Sequence, residues 1–194
     1  LSRGNSIYLI EHVVPMLPVL LSNKLCSLNE GEDRFTLSCI MEIDRRGKVQ
    51  EYKICESIIK SSARLVYDDV SDFLEHGKAN AKLEAHGAML KDMQELAECL
   101  KKAREELGSI DFDIDEAEFE IDKDGVPVDI SLTERRTANR LIEEFMLIAN
   151  RTVAEHYFWM EYPFIYRVHE KPLPEKVMEL KSFLKGIGIS LPLN

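Results

Sequence analysis

The densest collection of potential metal ligands in the chain is the acid run Asp111, Asp113, Asp115, Glu116, Glu118, Glu120, Asp122 and Asp124. Its opening, Asp111-x-Asp113-x-Asp115, matches the first ligands of a calcium-binding EF-hand loop. The pattern then fails. The sixth position, where a sharp turn requires Gly, is Glu116, and the twelfth, where a bidentate Glu closes the coordination shell, is Asp122. Phe112 and Ile114 alternate with the acids, so the run reads as the solvated face of a strand. His12, His76, His86, His156 and His169 form no H-x-x-x-H or H-E-x-x-H pair, which weakens zinc hydrolysis as a reading. The Gly-x-Ser-x-Gly elbow, the Walker A loop and Gly-x-Gly-x-x-Gly are all missing. Cys26, Cys39, Cys55 and Cys99 contain no C-x-x-C pair and read as reduced thiols of a cytoplasmic protein.

A second constellation is more informative. Arg135, Arg136, Asn139, Arg140, Glu143 and Glu144 crowd the first turns of an expected helix. Arg136 and Arg140 share one face, as do Arg140 and Glu144. Basic side chains at a helix N-terminus oppose its dipole, so acidic neighbours or a phosphate-bearing ligand should compensate. A solvated i,i+4 salt-bridge ladder is the structural alternative.

The elements that would position these groups follow from the hydrophobic pattern. Over residues 35–60, Phe35, Leu37, Cys39, Met41 and Ile43 alternate with Thr36, Ser38 and Glu42, and Asp44-Arg45-Arg46-Gly47 supplies a hairpin turn. Asp68 or Asp69 is expected to cap a short helix ending before Gly77. Leu83, Leu90, Met93, Ala97, Leu100 and Leu107 predict a long helix from about Ala79 to Leu107, stopped by Gly108. A second hairpin is expected over 109–130, turning at Asp122-Lys123-Asp124-Gly125. Ser131-Leu132-Thr133-Glu134 reads as a capping box that opens another long helix to about Phe158, with Leu141, Ile142, Phe145, Ile148, Ala149, Val153 and Phe158 as its apolar stripe. Pro174 begins a last helix expected to bury Val177, Leu180, Phe183 and Leu184. The predicted class is α+β, an antiparallel-rich mixed sheet packed against long helices.

The 194 residues suit one domain with a real core. A net charge of −10 argues against a protein that coats nucleic acid, but leaves room for an enzyme that grips a strand locally. The longest apolar run, Val13 to Leu21, carries Pro15 and Pro18 and is too short to span a bilayer, and no secretory signal is read, so no membrane partner is expected. The first residue is Leu1 rather than Met, and Gly186 to Pro192 reads as the start of a loop, so an internal piece of a larger protein is expected.

Several segments, in order and across nearly the whole chain, resemble the catalytic (RNB) domain of the ribonuclease II / ribonuclease R family of exoribonucleases. They are Arg3-Gly4-Asn5-Ser6-Ile7-Tyr8-Leu9, Val14-Pro15-Met16-Leu17-Pro18 and Leu21-Ser22-Asn23-Lys24-Leu25-Cys26-Ser27-Leu28-Asn29. Ala63-Arg64-Leu65-Val66-Tyr67-Asp68-Asp69-Val70, Arg135-Arg136-Thr137-Ala138-Asn139-Arg140-Leu141-Ile142-Glu143-Glu144 and Tyr166-Arg167-Val168-His169-Glu170-Lys171-Pro172 complete the set. The bacterial ribonuclease R branch fits best.

The resemblance implies a hydrolase that shortens single-stranded RNA processively from its 3′ end to nucleoside 5′-monophosphates, using Mg²⁺ held by aspartates. It places that aspartate cluster before Leu1 and the family's catalytic arginine after Asn194. The chain is then a partial catalytic domain over 1–194, with no catalytic residue or metal ligand of its own and inactive alone. By position, Tyr8 and Phe112 match the aromatics that sandwich the terminal bases, and Tyr67 and Glu143 match residues that hold the last nucleotide and sense its ribose. Arg136 and Arg140 are possible supporting residues. Each has a structural alternative. Tyr8 could pack on the Pro15–Pro18 loop, Phe112 could be core, Tyr67 could pack a helix start, and Glu143 could pair with Arg136 or Arg140. A noncatalytic RNA-binding or protein-interaction module of the same fold is the competing function. Exposed sheet edges would also permit self-association.

Overall fold

The computed structural model describes residues 4–9, 12–111, 116–123 and 125–192, apart from the side chains of Glu116, Glu118 and Thr133. The chain divides into two compact units, residues 1–155 and 156–194. The class is α+β with antiparallel strands and long helices, as expected. Among the described residues the strands form three separate two-stranded ladders, with one parallel bridge between Glu30 and Ser61.

In the first unit, β1 (Ile7–Tyr8) pairs with β2 (Val13–Val14), and the Met16 amide donates to Ser6 Oγ at 3.0 Å. Beyond a single helical turn at Leu21–Leu25 comes the longest ladder, β3 (Asp33–Ile43) with β4 (Val49–Lys60). The turn chemistry is local. Asp44 Oδ1 accepts the amides of Arg46 (2.9 Å) and Lys48 (3.0 Å), and Gly47 takes a φ of 72°. Gly47 is also wedged against the next helix. A Cβ there would lie 2.8 Å from the Cys99 carbonyl oxygen and 2.9 Å from Ala103 Cβ.

The predicted inner face of this hairpin is covered only near its turn. Cys39, Met41 and Ile43 are half-buried, and Thr152 Oγ1 donates to Met41 Sδ. Phe35, expected inside, is 89% exposed, and Leu37 is exposed too. The period-two alternation holds, but at the far end the half-buried residues are Arg34, Thr36 and Ser38 of the opposite face, and the face carrying Phe35 and Leu37 is open.

Three helices build the core. α1 (Tyr67–His76) ends at Gly77 in the left-handed region, as expected. Its N-cap is Val66, with no side-chain cap. Asp68 and Asp69 instead lie inside the first turn, where their charge favours the dipole. α2 (Ala81–Glu106) is capped by Asn80, whose Oδ1 accepts the Leu83 amide at 2.9 Å. It closes with paired bonds from Ser109 N to Arg104 O and from Gly108 N to Glu105 O, a Schellman ending. Leu83 and Leu90 of α2 pack with Val70 of α1 and with Ala138, around Phe73, Leu74 and Met93. Gly87 leaves room for the Phe73 ring, whose Cζ would meet an added Cβ at 2.9 Å.

β5 (Glu116–Ile121) and β6 (Pro127–Thr133) form the second hairpin, turned by Asp122 Oδ1 accepting the Val126 amide at 2.9 Å. Ile110 precedes the ladder and is exposed, while Phe112 and Ile114 lie outside the described residues. The capping box expected at 131–134 does not form, because Ser131 and Thr133 belong to β6. α3 (Thr137–Trp159) starts later, and its cap comes from another helix. Glu75 Oε1 accepts the Thr137 amide at 3.1 Å, and Ser71 Oγ accepts that of Ala138 at 3.2 Å. These orphan donors need acceptors wherever they come from. The buried stripe of α3 is Ala138, Leu141, Glu144, Ile148 and Thr152, so it contains an acid and a hydroxyl that the apolar pattern passed over.

The second unit gathers aromatic rings. Tyr157 stacks on Phe164 with centroids 5.0 Å apart, and Tyr162 and Tyr166 flank them. α4 (Pro174–Gly186) begins with Pro in its first turn, as predicted. Val177 and Leu184 are half-buried, but Leu180 and Phe183, expected inside, are exposed. No helix among the described residues is long and apolar enough to cross a membrane.

Candidate nucleic-acid interface

The start of α3 is built by two adjacent arginines with separate partners. Arg136 Nη2 donates to Asp72 Oδ1 at 2.6 Å and to Glu75 Oε2 at 2.7 Å, both on α1, with Asp68 Oδ1 3.8 Å from Nη1. Asp72 also receives Lys78 Nζ at 2.8 Å. These donors favour ionised carboxylates. The hydrogen bond from Lys78, then that from Arg136, holds Asp72 down to a pKa of about 2. The hydrogen bond from Arg136, followed by those from Thr137, holds Glu75 to about 2. At the basic helix start, Arg136 is therefore compensated by acids from a neighbouring helix. Arg136 pins α1 to α3.

Arg135 bridges two further acids. Its Nε and Nη2 donate to Glu143 Oε2 at 3.0 and 2.5 Å, and its Nη1 donates to Asp111 Oδ1 at 2.8 Å. Lys101 Nζ stands 3.8 Å from the other Asp111 oxygen. Glu143 thus does pair with an arginine, Arg135. Its side chain remains partly exposed. Arg140 lies one turn into α3 and lines a hollow of about 180 Å³ with Gln94, Glu98, Lys101 and Glu144.

Beneath these groups lies a pair that the sequence reading missed. Glu144 is only 5% exposed, and Arg104 of α2 reaches it with Nη2 at 2.7 Å and Nε at 3.2 Å. Arg104 Nη1 donates to Ser109 Oγ at 2.5 Å. The hydrogen bond to Glu144 raises the Arg104 pKa, so the guanidinium stays charged. A signal existed: Glu144 falls in register with Leu141 and Ile148 on the buried face, where an acid needs a partner.

The expected channel residues stand as follows. Tyr67 is the first residue of α1 and half exposed, next to the Asp68 that faces Arg136. Glu143 is seven residues beyond Arg136 on the helix to which α1 is pinned, a rise of roughly 10 Å. The α1–α3 contacts therefore bring the elements carrying Tyr67 and Glu143 together. Tyr8 is on the separate β1–β2 ladder, outside those bonds, and at 79% exposure it does not pack on the Pro15–Pro18 loop. Phe112 lies outside the described residues. Exposed aromatic faces can stack on bases, and a fixed carboxylate can accept a ribose hydroxyl. Among the described residues no group of three His, Cys, Asp or Glu side chains could hold a metal ion.

The RNB domain profile matches residues 1–192. The chain is similar to ribonuclease R of Thermotoga maritima, 47% identical over 188 residues covering 96% of this chain and 26% of that protein. It is 41% identical to ribonuclease R 2 of Lactococcus lactis over 195 residues, covering 98% of this chain and 29% of that one. The solved structure of Mycoplasma genitalium RNase R in complex with ribose methylated single-stranded RNA superposes with a TM-score of 0.90 at 32% identity, over 98% of this chain and 30% of that one. The chain spans less than a third of the length of these relatives.

Proposed function

The chain belongs to the RNB domain family, and from that premise we propose that it is part of the catalytic domain of a ribonuclease R-type exoribonuclease. The parent enzyme hydrolyses single-stranded RNA from the 3′ end, processively, releasing nucleoside 5′-monophosphates in the cytoplasm. The observation that carries this reading is the agreement of sequence and fold over nearly the whole chain with ribonuclease R, including a relative solved with single-stranded RNA bound.

In this reading the chain supplies the channel wall. Tyr8 and Phe112 stack on terminal bases, Tyr67 holds the last nucleotide, and Glu143 accepts a hydrogen bond from its 2′-hydroxyl. Arg136 and Arg140 support the elements that carry these groups. Among the described residues no group of three His, Cys, Asp or Glu side chains could hold Mg²⁺, and the resemblance to the family places its ligands in another part of the longer protein. The chain alone is then inactive and binds RNA weakly, because stacking on a few nucleotides replaces the phosphate contacts that a basic surface would make.

Fluorescence anisotropy with a labelled oligoribonucleotide tests the assignment. Replacing Tyr8 by Ala should weaken binding to the longer protein by about tenfold, the worth of one stacked base, and replacing Tyr67 should loosen the hold on the last nucleotide by a similar factor. Unchanged affinity in both variants would remove the channel assignment. Mg²⁺-dependent release of nucleoside monophosphates by the 194-residue chain would refute its inactivity. RNA binding by the longer protein without hydrolysis would instead favour the noncatalytic module.

A further inference from the structure

The geometry points to Arg135 as the residue that positions the Glu143 carboxylate for the terminal ribose. This rests on the proposed role of Glu143 and extends it to a residue outside α3. Arg135 precedes the helix, so its side chain reaches Glu143 from the flank rather than along the helix surface. Both donors on one edge of its guanidinium, Nε and Nη2, converge on the same oxygen, Oε2. The grip sets the orientation of the carboxylate and directs its Oε1 edge away from the arginine. The remaining donor, Nη1, is held by Asp111 Oδ1, so Arg135 is itself fixed at its far end. A planar fork with donors on two edges makes this bridge, whereas a Lys ammonium offers donors from a single point.

The same arrangement answers an electrostatic difficulty. An isolated carboxylate beside the terminal nucleotide would repel its phosphate. Arg135 bridges Glu143 and Asp111, and Lys101, which Asp111 shares with Glu105, stands 3.8 Å from Asp111, so the negative charge of the two carboxylates is largely offset. The hydrogen bond from Arg135 also keeps the Asp111 carboxyl below its usual pKa, so the anchor stays ionised. Ion pairs this open to water contribute little to stability. Loss of Arg135 should therefore disturb recognition of the ribose far more than it disturbs the fold.

The test uses the longer protein and two oligonucleotides, one all-ribose and one with 2′-deoxyribose at the 3′-terminal nucleotides. The readout is the ratio of their kcat/KM values. Glu143→Ala should lower the ribose preference by about tenfold, the scale of one hydrogen bond to a charged group. Arg135→Met should lower it by a similar factor with little change in melting temperature, and the double variant should show no further loss. Arg135→Lys, which keeps the charge, should recover only part of the preference. If Arg135→Met melts early, Arg135→Lys decides. Should the folded Arg135 variants keep the wild-type ratio while Glu143→Ala loses it, the positioning role is wrong and the role of Glu143 stands. Should Glu143→Ala itself keep the ratio, the ribose assignment falls and takes the role of Arg135 with it.

Discussion

Replacing Arg104 by Met isolates the buried ion pair. The Met stem keeps much of the side-chain volume, but Glu144 then loses its donors at 2.7 and 3.2 Å while its side chain is only 7% exposed. Leaving one member of such a pair uncompensated costs about 3 to 5 kcal/mol. Arg104 itself is 24% exposed, so water can enter where it stood, which favours the lower end. A loss of about 3 kcal/mol lowers the melting temperature of a chain this size by about 6 to 12 °C. Urea denaturation followed by circular dichroism measures it. Arg104→Met combined with Glu144→Leu removes both charges, and stability should return to within about 1 kcal/mol of the parent, because apolar replacements of buried pairs are well tolerated. A single variant that loses under about 1 kcal/mol, or a double variant no more stable than the single, would refute the view that desolvation of Glu144 governs this site.

Gly47→Ala should destabilise by about 2 kcal/mol or more, since it adds a Cβ against Cys99 and Ala103 at a φ of 72°; a thermal melt like that of the parent would contradict it. Ser71→Ala removes an acceptor from the start of α3 and should cost about 1 kcal/mol in urea denaturation, with no loss expected if the Ala138 amide finds water instead. Asp72 and Glu75 both titrate at about 2 in the folded chain, against 3.8 and 4.5 ordinarily. A lowered folded pKa gives stability that is complete above the ordinary values and is lost as pH falls toward 2. Denaturation midpoints between pH 4.5 and 2 should therefore fall, and fall less steeply in Arg136→Met; parallel profiles would show that Arg136 is not the cause.

Elements specified by neighbours in sequence were the ones readable from it. Asp44 to Gly47 carries the whole chemistry of its turn, and α2 displays its cap, its stripe and its Gly stop within one stretch. The start of α3 was misplaced because its acceptors, Ser71 and Glu75, sit on another helix, so a local Ser-x-x-Glu pattern gave a false beginning. Phe35 shows the limit of alternation: period two says which side chains share a face, not whether anything covers that face. At the candidate site, the resemblance supplied Tyr8, Tyr67, Phe112 and Glu143. The partner of Glu143 was hidden, because Arg135 meets Glu143 from outside the helix and Asp111 from across a hairpin.

The borrowed cap of α3 has a consequence for folding. The amides of Thr137 and Ala138 are sealed by side chains 62 and 67 positions earlier, so they become protected from solvent exchange only when that distant segment has docked. Deuterium uptake at these two amides is thus a clock for an event elsewhere in the chain, and any agent that peels α1 away should bare the beginning of α3 in the same step.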